Sequence, residues 1–147
     1  MKPFVDELAT LLNVSQEEVN AVAAEDDENL CATAYHLYER GDYPIAAQFF
    51  TKLVLANPFD EKYWRGLASS RQMQGEYLAS VYAWSMVALI EHKDPMPHYH
   101  AAECLLSLNE KTDALKALTA AESLLDEKNQ AIRHKINLLK QVHFNVH

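Results

Sequence analysis

The sequence repeats three times with a period of 34 residues, and this periodicity restricts the fold more than any other feature. In the middle copy the repeated positions are Trp64, Leu67, Ala68, Gly75, Tyr77, Ser80, Trp84 and Val87. The same positions in the preceding copy are Leu30, Thr33, Ala34, Gly41, Tyr43, Ala46, Phe50 and Leu53. In the following copy they are His98, Ala101, Ala102, Asn109, Lys111, Ala114, Leu118 and Ala121. Because the copies follow one another without an insertion, the chain is expected to consist of three similar units.

A period of this length, with a pair of small residues and a glycine turn, is the signature of the tetratricopeptide repeat (TPR). Each such repeat is two antiparallel helices that must stack on their neighbours to bury their apolar faces. We therefore predict an all-α fold, a TPR solenoid of three helix-pair repeats at residues 27–60, 61–94 and 95–128. N-terminal helices (1–26) and a C-terminal capping helix (129–147) are predicted to flank the repeats.

The residues between the predicted helices favour turns. Gly41 and Asn109 stand where a helix ends, and both residue types tolerate the left-handed conformation found there. Pro44 falls in the first turn of the next helix, where its missing N–H costs nothing. Pro58 and Pro95 are predicted to stop the second helix of the first and second repeats.

The first residues of the chain predict a short amphipathic helix that we interpret as a dimer arm. Its apolar stripe consists of Phe4, Leu8, Leu11 and Leu12. Asn13 is expected to end this helix. Ser15 and Glu18 have the spacing of a capping box, which predicts a second short helix. These helices are expected to cover the first repeat or to join two copies of the chain.

Most of the aromatic side chains are predicted to be core residues, because they occupy the packing positions of the repeat. This set comprises Phe50, Trp64, Trp84, Tyr43 and Tyr77. In the last helix, the inward face is predicted to carry Ile132, Ile136, Leu139 and Val142.

Charge and cysteine content exclude several functions. The net charge is −8, so the chain is not expected to bind nucleic acid. Residues 1–28 carry a net charge of −7 and residues 129–147 a net charge of +3. These opposite charges either pair, within or between chains, or form a solvated surface, which is the interpretation that we favour. Cys31 and Cys104 lie far apart, which is typical of reduced thiols in a cytoplasmic protein. No apolar run is long enough for a membrane span, so direct membrane binding is not expected.

The first helix of each repeat is predicted to line a concave groove. Its candidate residues are Cys31, Tyr35, Tyr38, Lys62, Arg65, Ser69, Gln72, Met96, Tyr99, Glu103 and Leu106. This mixture of aromatic, aliphatic and polar side chains suits an extended peptide with apolar anchors. Other TPR proteins bind the C-terminal carboxylate of a heat-shock protein through Lys and Asn in the first repeat. Here those positions are Cys31 and Tyr35, which argues against this ligand.

The histidines are the only candidates for chemistry. His92, His98, His100 and Cys104 lie close in sequence, and His100 with Cys104 is an i, i+4 pair. No third ligand stands at a diagnostic spacing, so neither a metal nor another cofactor is expected. No nucleophile–base pair or phosphate loop is evident, which argues against an enzyme.

Three stretches resemble the class II chaperones that serve the translocators of type III secretion systems. Residues 93–95 (KDP) and 99–106 (YHAAECLL) resemble the third repeat of that family, and residues 63–68 (YWRGLA) the second. Residues 34–38 (AYHLY) with 41–43 (GDY) resemble the first. The similarity covers residues 30–125.

The resemblance implies a bacterial cytoplasmic chaperone that holds hydrophobic translocator proteins before secretion. In that family the groove takes a Pro-x-Leu-x-x-Pro-like segment, and the N-terminal helices commonly mediate homodimers. Tyr35 and Tyr38 match aromatic groove residues, whereas Cys31 and Arg65 stand where some members carry Tyr and an aliphatic residue. The alternative is a TPR scaffold or regulatory adaptor for other protein partners; a metal-binding protein or an enzyme is a weaker one.

Overall fold

The structure, a computed structural model, describes residues 2–15 and 27–144. These residues form eight α-helices and no strand. In chain order the helices are α1 (Lys2–Leu11), α2 (Asp27–Glu39), α3 (Tyr43–Ala56), α4 (Glu61–Met73), α5 (Tyr77–Ile90), α6 (Met96–Ser107), α7 (Lys111–Ser123) and α8 (Gln130–Phe144). The predicted all-α fold is confirmed, and each 34-residue segment contains two helices. The predicted capping box and second short helix fall outside the described residues.

The turns within the three helix pairs have the backbone conformation that their residues favour. Gly41 has a φ of +85°, Gly75 of +78° and Asn109 of +60°, all in the left-handed region. Asn13, which ends α1, has a φ of +58°. Because an L-residue with a side chain avoids this region, Gly and Asn are selected at these positions.

The helix ends agree with the predicted stop signals in one case and differ in another. Helix α3 carries its proline within the first turn and ends at Ala56, directly before Asn57 and Pro58. Helix α5, in contrast, ends at Ile90 rather than at Asp94 and Pro95. A turn follows in which the Asp94 carboxylate accepts a hydrogen bond (2.9 Å) from the Met96 N–H and thereby starts α6.

The chain divides into two compact units, Met1–Gly75 and Glu76–His147. In the first unit, α3 packs between α2 and α4, and α1 contacts α3. Its centre is fully buried and contains Phe50, Leu53, Val54 and Trp64. The indole N–H of Trp64 donates a hydrogen bond (2.7 Å) to the Pro58 carbonyl, so the turn between α3 and α4 is tied to the core.

In the second unit, α6 packs against α5 and α7, and α8 contacts both α6 and α7. A core cluster under α8 contains Tyr99, Ala102, Leu118, Ala121 and Ile136. Lys140 of α8 also forms an ion pair with Glu122 of α7. Helix α8 therefore closes this end of the second unit through both apolar and charged contacts.

Three sequence predictions about burial are corrected by the structure. Tyr43 and Tyr77 are half-buried rather than core residues, because each begins a helix. Val142 is 73% exposed although it was predicted to point inward. At 3.6 residues per turn Val142 lies about 120° around α8 from the buried Ile136, and Phe144 packs on the core cluster instead.

The core predictions for Phe50, Trp64 and Trp84 are confirmed. Phe50 and Trp64 are fully buried and Trp84 is 4% exposed.

No helix within residues 2–15 and 27–144 is long and apolar enough to cross a membrane.

Candidate functional site

A small cavity opens between α2 and α4 in the first unit. It has a volume of about 260 Å³ and is lined by Tyr35, Tyr38, Phe50, Arg65, Gly66 and Ser69. We call it the aromatic pocket. Four of the sequence-predicted groove residues meet here: Tyr35, Tyr38, Arg65 and Ser69.

Helix α2 supplies the tyrosine walls. Tyr35 and Tyr38 are three residues apart and therefore lie side by side on one face of the helix. The Tyr35 ring packs edge-on against Phe50, with 5.2 Å between ring centroids, and the Tyr38 ring packs edge-on against Tyr43 at 5.3 Å. Burial raises the pKa of both phenols above the ordinary value, so both side chains stay neutral at physiological pH. They present apolar faces together with a hydroxyl.

The floor of the pocket depends on Gly66. A Cβ atom at this position would overlap the Phe50 ring, whereas Gly66 lets the ring lie directly against α4. Phe50 is fully buried and belongs to the lining of the cavity. The absence of a side chain at Gly66 thus places an aromatic ring at the base of the site.

Helix α4 supplies the polar rim. The Arg65 Nε donates a hydrogen bond to the Glu61 carboxylate one turn earlier. Ser69 forms a side-chain hydrogen bond with Tyr38 that opposes the rise in the pKa of the phenol. The pocket therefore joins an apolar interior to a rim that can donate hydrogen bonds.

Three further groove candidates of the first unit lie outside the pocket lining. Cys31 is half-buried, and burial raises its pKa while the nearby Lys62 ammonium partly opposes the rise. Lys62 is exposed and Gln72 is half-buried. The raised pKa makes the Cys31 thiol a poorer nucleophile than an ordinary cysteine.

The candidates of the second unit are only partly accessible. Tyr99 is 7% exposed and packs in the core cluster under α8, and Met96 packs against the same cluster. Helix α8 covers this face of α6, so Tyr99 is buried in this structure, and its place in a binding groove stays a prediction. Glu103 and Leu106 are half-buried.

The histidine cluster has structural contacts. The His100 ring stacks on Trp84 at 4.7 Å, and its Nδ1 is hydrogen-bonded (2.7 Å) to Glu103. Cys104 is buried, and its thiol donates to the Ser80 hydroxyl at 3.5 Å. Among the described residues no three His, Cys, Asp or Glu side chains come together in a way that could hold a metal ion.

His98 lies in a different place from the one expected. It was predicted at a core-packing position, but it is half-buried and lines a cavity of about 350 Å³ with Trp84, Leu89 and Pro97, among others. Burial lowers its pKa from the ordinary value of 6.5, partly opposed by the Asp94 carboxylate.

The predicted dimer arm is only partly available for contacts with another chain. Leu8 is 2% exposed and belongs to the core of the first unit, whereas Leu11 is 67% exposed. Leu12 is half-buried and lines a cavity that also includes Lys52 and Arg71. The side chain of Phe4 lies outside what the structure describes.

Phe50 and Gly66 were missed as site residues. Phe50 occupies a packing position of the repeat and was therefore predicted only as a core residue, although it also lines the aromatic pocket. Gly66 gave a usable signal, because a glycine inside a helix costs about 0.5–1 kcal/mol relative to alanine and so suggests a close approach by another group.

Comparison with known proteins supplies the identity of the fold. The chain is 30% identical over 112 residues to low calcium response locus protein H of Yersinia pestis, a match that covers 76% of this chain and 67% of the relative. No family model matches.

Two solved structures share the fold. One is the Yersinia enterocolitica type III secretion translocator chaperone SycD in an alternative dimer (26% identity, TM-score 0.72, 79% of this chain and 89% of that chain). The other is SycD in complex with a peptide of the translocator YopD (28% identity, TM-score 0.73, 78% and 89%). The helix pairs have the TPR period, and these matches cover more than three quarters of the chain. This chain therefore belongs to the family of type III secretion translocator chaperones.

Proposed function

We propose that this chain is a cytoplasmic chaperone of a bacterial type III secretion system that binds an extended segment of hydrophobic translocator proteins. The aromatic pocket carries the proposal, because it gathers four of the predicted groove residues around one apolar cavity. The relative SycD has been crystallised with a translocator peptide, which supports the same kind of ligand here. The chain binds its cargo and does no chemistry on it.

The pocket suits the capture of an unfolded segment. An apolar anchor that fills it would gain roughly 1.5–3 kcal/mol from burial, before the cost of ordering the segment is subtracted. Rings and backbone already in place reduce that cost, since the walls do not need to be organised upon binding. In the second unit, Glu103 and Leu106 remain candidates for further contacts with the cargo.

The chain is also proposed to form a homodimer. SycD has been solved as a dimer, and Leu11 provides an exposed apolar side chain on α1. Leu8 of the predicted arm is buried within its own unit, so Leu11 is the arm residue that we propose makes the contact.

Co-expression with candidate translocators, followed by mass spectrometry of the proteins that co-purify, tests the function. A Pro-x-Leu-x-x-Pro peptide is then titrated against the wild type and the double variant Tyr35→Ala/Tyr38→Ala. The variant is expected to bind roughly tenfold more weakly or worse, because both apolar walls are gone.

Two controls separate binding from stability. Tyr77→Ala removes a half-buried tyrosine of the second unit and is expected to leave peptide binding unchanged. Trp64→Ala opens a core cavity and is expected to cost roughly 3–5 kcal/mol of unfolding free energy. Normal peptide binding by the double tyrosine variant would show that the aromatic pocket is not the anchor site.

A further inference from the structure

A cavity of about 350 Å³ lies between α5 and α6 in the second unit. We propose that this cavity binds one uncharged aromatic side chain, of the size of an indole, from an unfolded cargo segment. That the cargo supplies the side chain rests on the proposed function, whereas the cavity shares no lining residue with the aromatic pocket.

The repeat period relates this cavity to a filled position in the first unit. His98 lines the cavity and stands 34 residues after Trp64. Trp64 is fully buried at the junction of α3 and α4, the two helices that correspond to α5 and α6. Because an imidazole is smaller than an indole, the histidine leaves space at this position that the tryptophan fills in the first unit.

Two alanines enlarge the space further. Ala88 and Ala101 line the cavity, and they stand one period after Val54 and Leu67. Both larger residues belong to the buried core of the first unit. The cavity therefore has the position and the apolar walls of a core site whose side chains have been shortened.

Trp84 forms a wall of the cavity. It stands one period after Phe50 and is the larger of the two, but its ring stacks on His100, with 4.7 Å between the ring centroids. The position of His100 is that of Gly66 in the first unit, so the first unit has no ring there on which Phe50 could stack. A ligand in the cavity thus meets an indole that is already packed in place, which suits an aromatic partner.

The polar character of the lining favours an uncharged ring with one donor. In the first unit the Trp64 N–H donates a hydrogen bond (2.7 Å) to the Pro58 carbonyl. Among the described residues that line the cavity, His98 is the only ionisable one, and burial lowers its pKa, partly opposed by the Asp94 carboxylate. A neutral imidazole has one nitrogen that accepts hydrogen bonds, so His98 can receive an indole N–H.

The size and the opening of the cavity fit a side chain that enters from outside. An apolar cavity of about 150 Å³ is sufficient to bind benzene, so this one has room for the two rings of an indole. Leu89 lines the cavity and is 74% exposed, which shows that the cavity reaches the surface. An unfolded hydrophobic segment presents its aromatic side chains in a form that can enter there.

The test uses free indole and two peptides, Gly-Ser-Trp-Ser-Gly and Gly-Ser-Ala-Ser-Gly. Binding to the wild type is followed by NMR through the methyl resonances of Ala88, Leu89 and Ala101. Indole and the Trp peptide are expected to shift these resonances in a saturable way, with a Kd of about 1 mM for such small ligands. The Ala peptide should bind about tenfold more weakly or worse.

Two variants fill the cavity from within by restoring residues of the first unit. His98→Trp and Ala101→Leu are each expected to weaken the binding of indole about tenfold or more. Leu78→Trp is the matched control, because it also adds a tryptophan to the second unit, but Leu78 is 74% exposed and lies outside the cavity lining. This control should bind indole like the wild type. Thermal unfolding verifies that each variant is folded, and either filling variant suffices for the test.

The outcomes are distinguishable. The site is overturned if indole causes no saturable shift in the wild type, or if a folded filling variant binds indole undiminished. If indole binds but the Trp peptide binds no better than the Ala peptide, the cavity takes a free ring and the assignment to cargo fails. The Pro-x-Leu-x-x-Pro titration tests the proposed function separately, since it concerns the aromatic pocket, and both filling variants should bind that peptide normally.

Discussion

At the scale of single residues, Gly66 shapes the candidate site by having no side chain. It occupies the interior of α4, where glycine is unfavourable, and it allows the Phe50 ring to reach the backbone of that helix. The tyrosine walls then close around this ring. The pocket therefore depends on the absence of a side chain at Gly66 as well as on its three aromatic rings.

Gly66→Ala is expected to destabilise the chain by roughly 1–3 kcal/mol, because the new methyl group overlaps the Phe50 ring and forces it to move. Urea denaturation measures the loss. Combining the substitution with Phe50→Leu should cost less than the sum of the two single changes. A Gly66→Ala variant as stable as the wild type would contradict this account of the pocket floor.

His98 predicts a pH dependence of stability. Burial lowers its pKa below 6.5 in the folded state, so the unfolded chain binds a proton more readily. The stability that this group contributes is present above pH 6.5 and is lost as the pH falls through the folded-state pKa. Unfolding free energies measured across this window should fall toward acid pH, and His98→Gln should flatten that part of the profile. An unchanged slope in the variant would assign the effect to another group.

At the scale of the elements, the helix pairs are organised by their turns. Gly41, Gly75 and Asn109 all adopt the left-handed conformation, so the third pair uses a residue with a side chain where the others use glycine. A non-glycine residue in this region stores backbone strain.

Asn109→Ala is expected to cost about 1 kcal/mol, because alanine lacks the polar side chain that helps asparagine adopt this conformation. Asn109→Gly should be neutral or slightly stabilising. Thermal unfolding of both variants measures the difference. If Asn109→Gly were less stable than Asn109→Ala, the Asn109 side chain would have to make stabilising contacts of its own.

At the scale of the whole molecule, the proposed homodimer is best tested at helix α1. Because Leu8 is buried and Leu11 is exposed, deleting the first helix would damage the core of the first unit as well as any interface. A point substitution is the cleaner perturbation.

Leu11→Glu is expected to shift the protein toward monomer, since it places a charge on the exposed apolar position of α1. Sedimentation velocity over a range of concentrations measures the shift, and Val142→Glu on the exposed face of α8 serves as a control. A wild type that stays monomeric at every concentration would remove the basis for the dimer.

Local sequence was sufficient for the helix pairs and their turns. The 34-residue period, the glycines and the prolines act through backbone conformation and helix periodicity, which depend on neighbours along the chain. Tyr35 and Tyr38 were placed on one face for the same reason. Their meeting with Arg65 and Ser69 was expected from the repeat pattern, and the cavity they enclose is seen only when α2 and α4 are packed together.

Contacts between segments that are distant in sequence decided which residues are buried. Cys31, Arg65 and Tyr99 occupy the same position in the three repeats, and the sequence treats them as equivalent. The first two are half-buried, whereas Tyr99 is buried because α8, which follows the last repeat, packs Ile136 against it. The role of Phe50 as the pocket floor likewise depends on the closeness of α3 to Gly66. Periodicity assigns a residue to a face of its helix, but burial depends on which other helix covers that face.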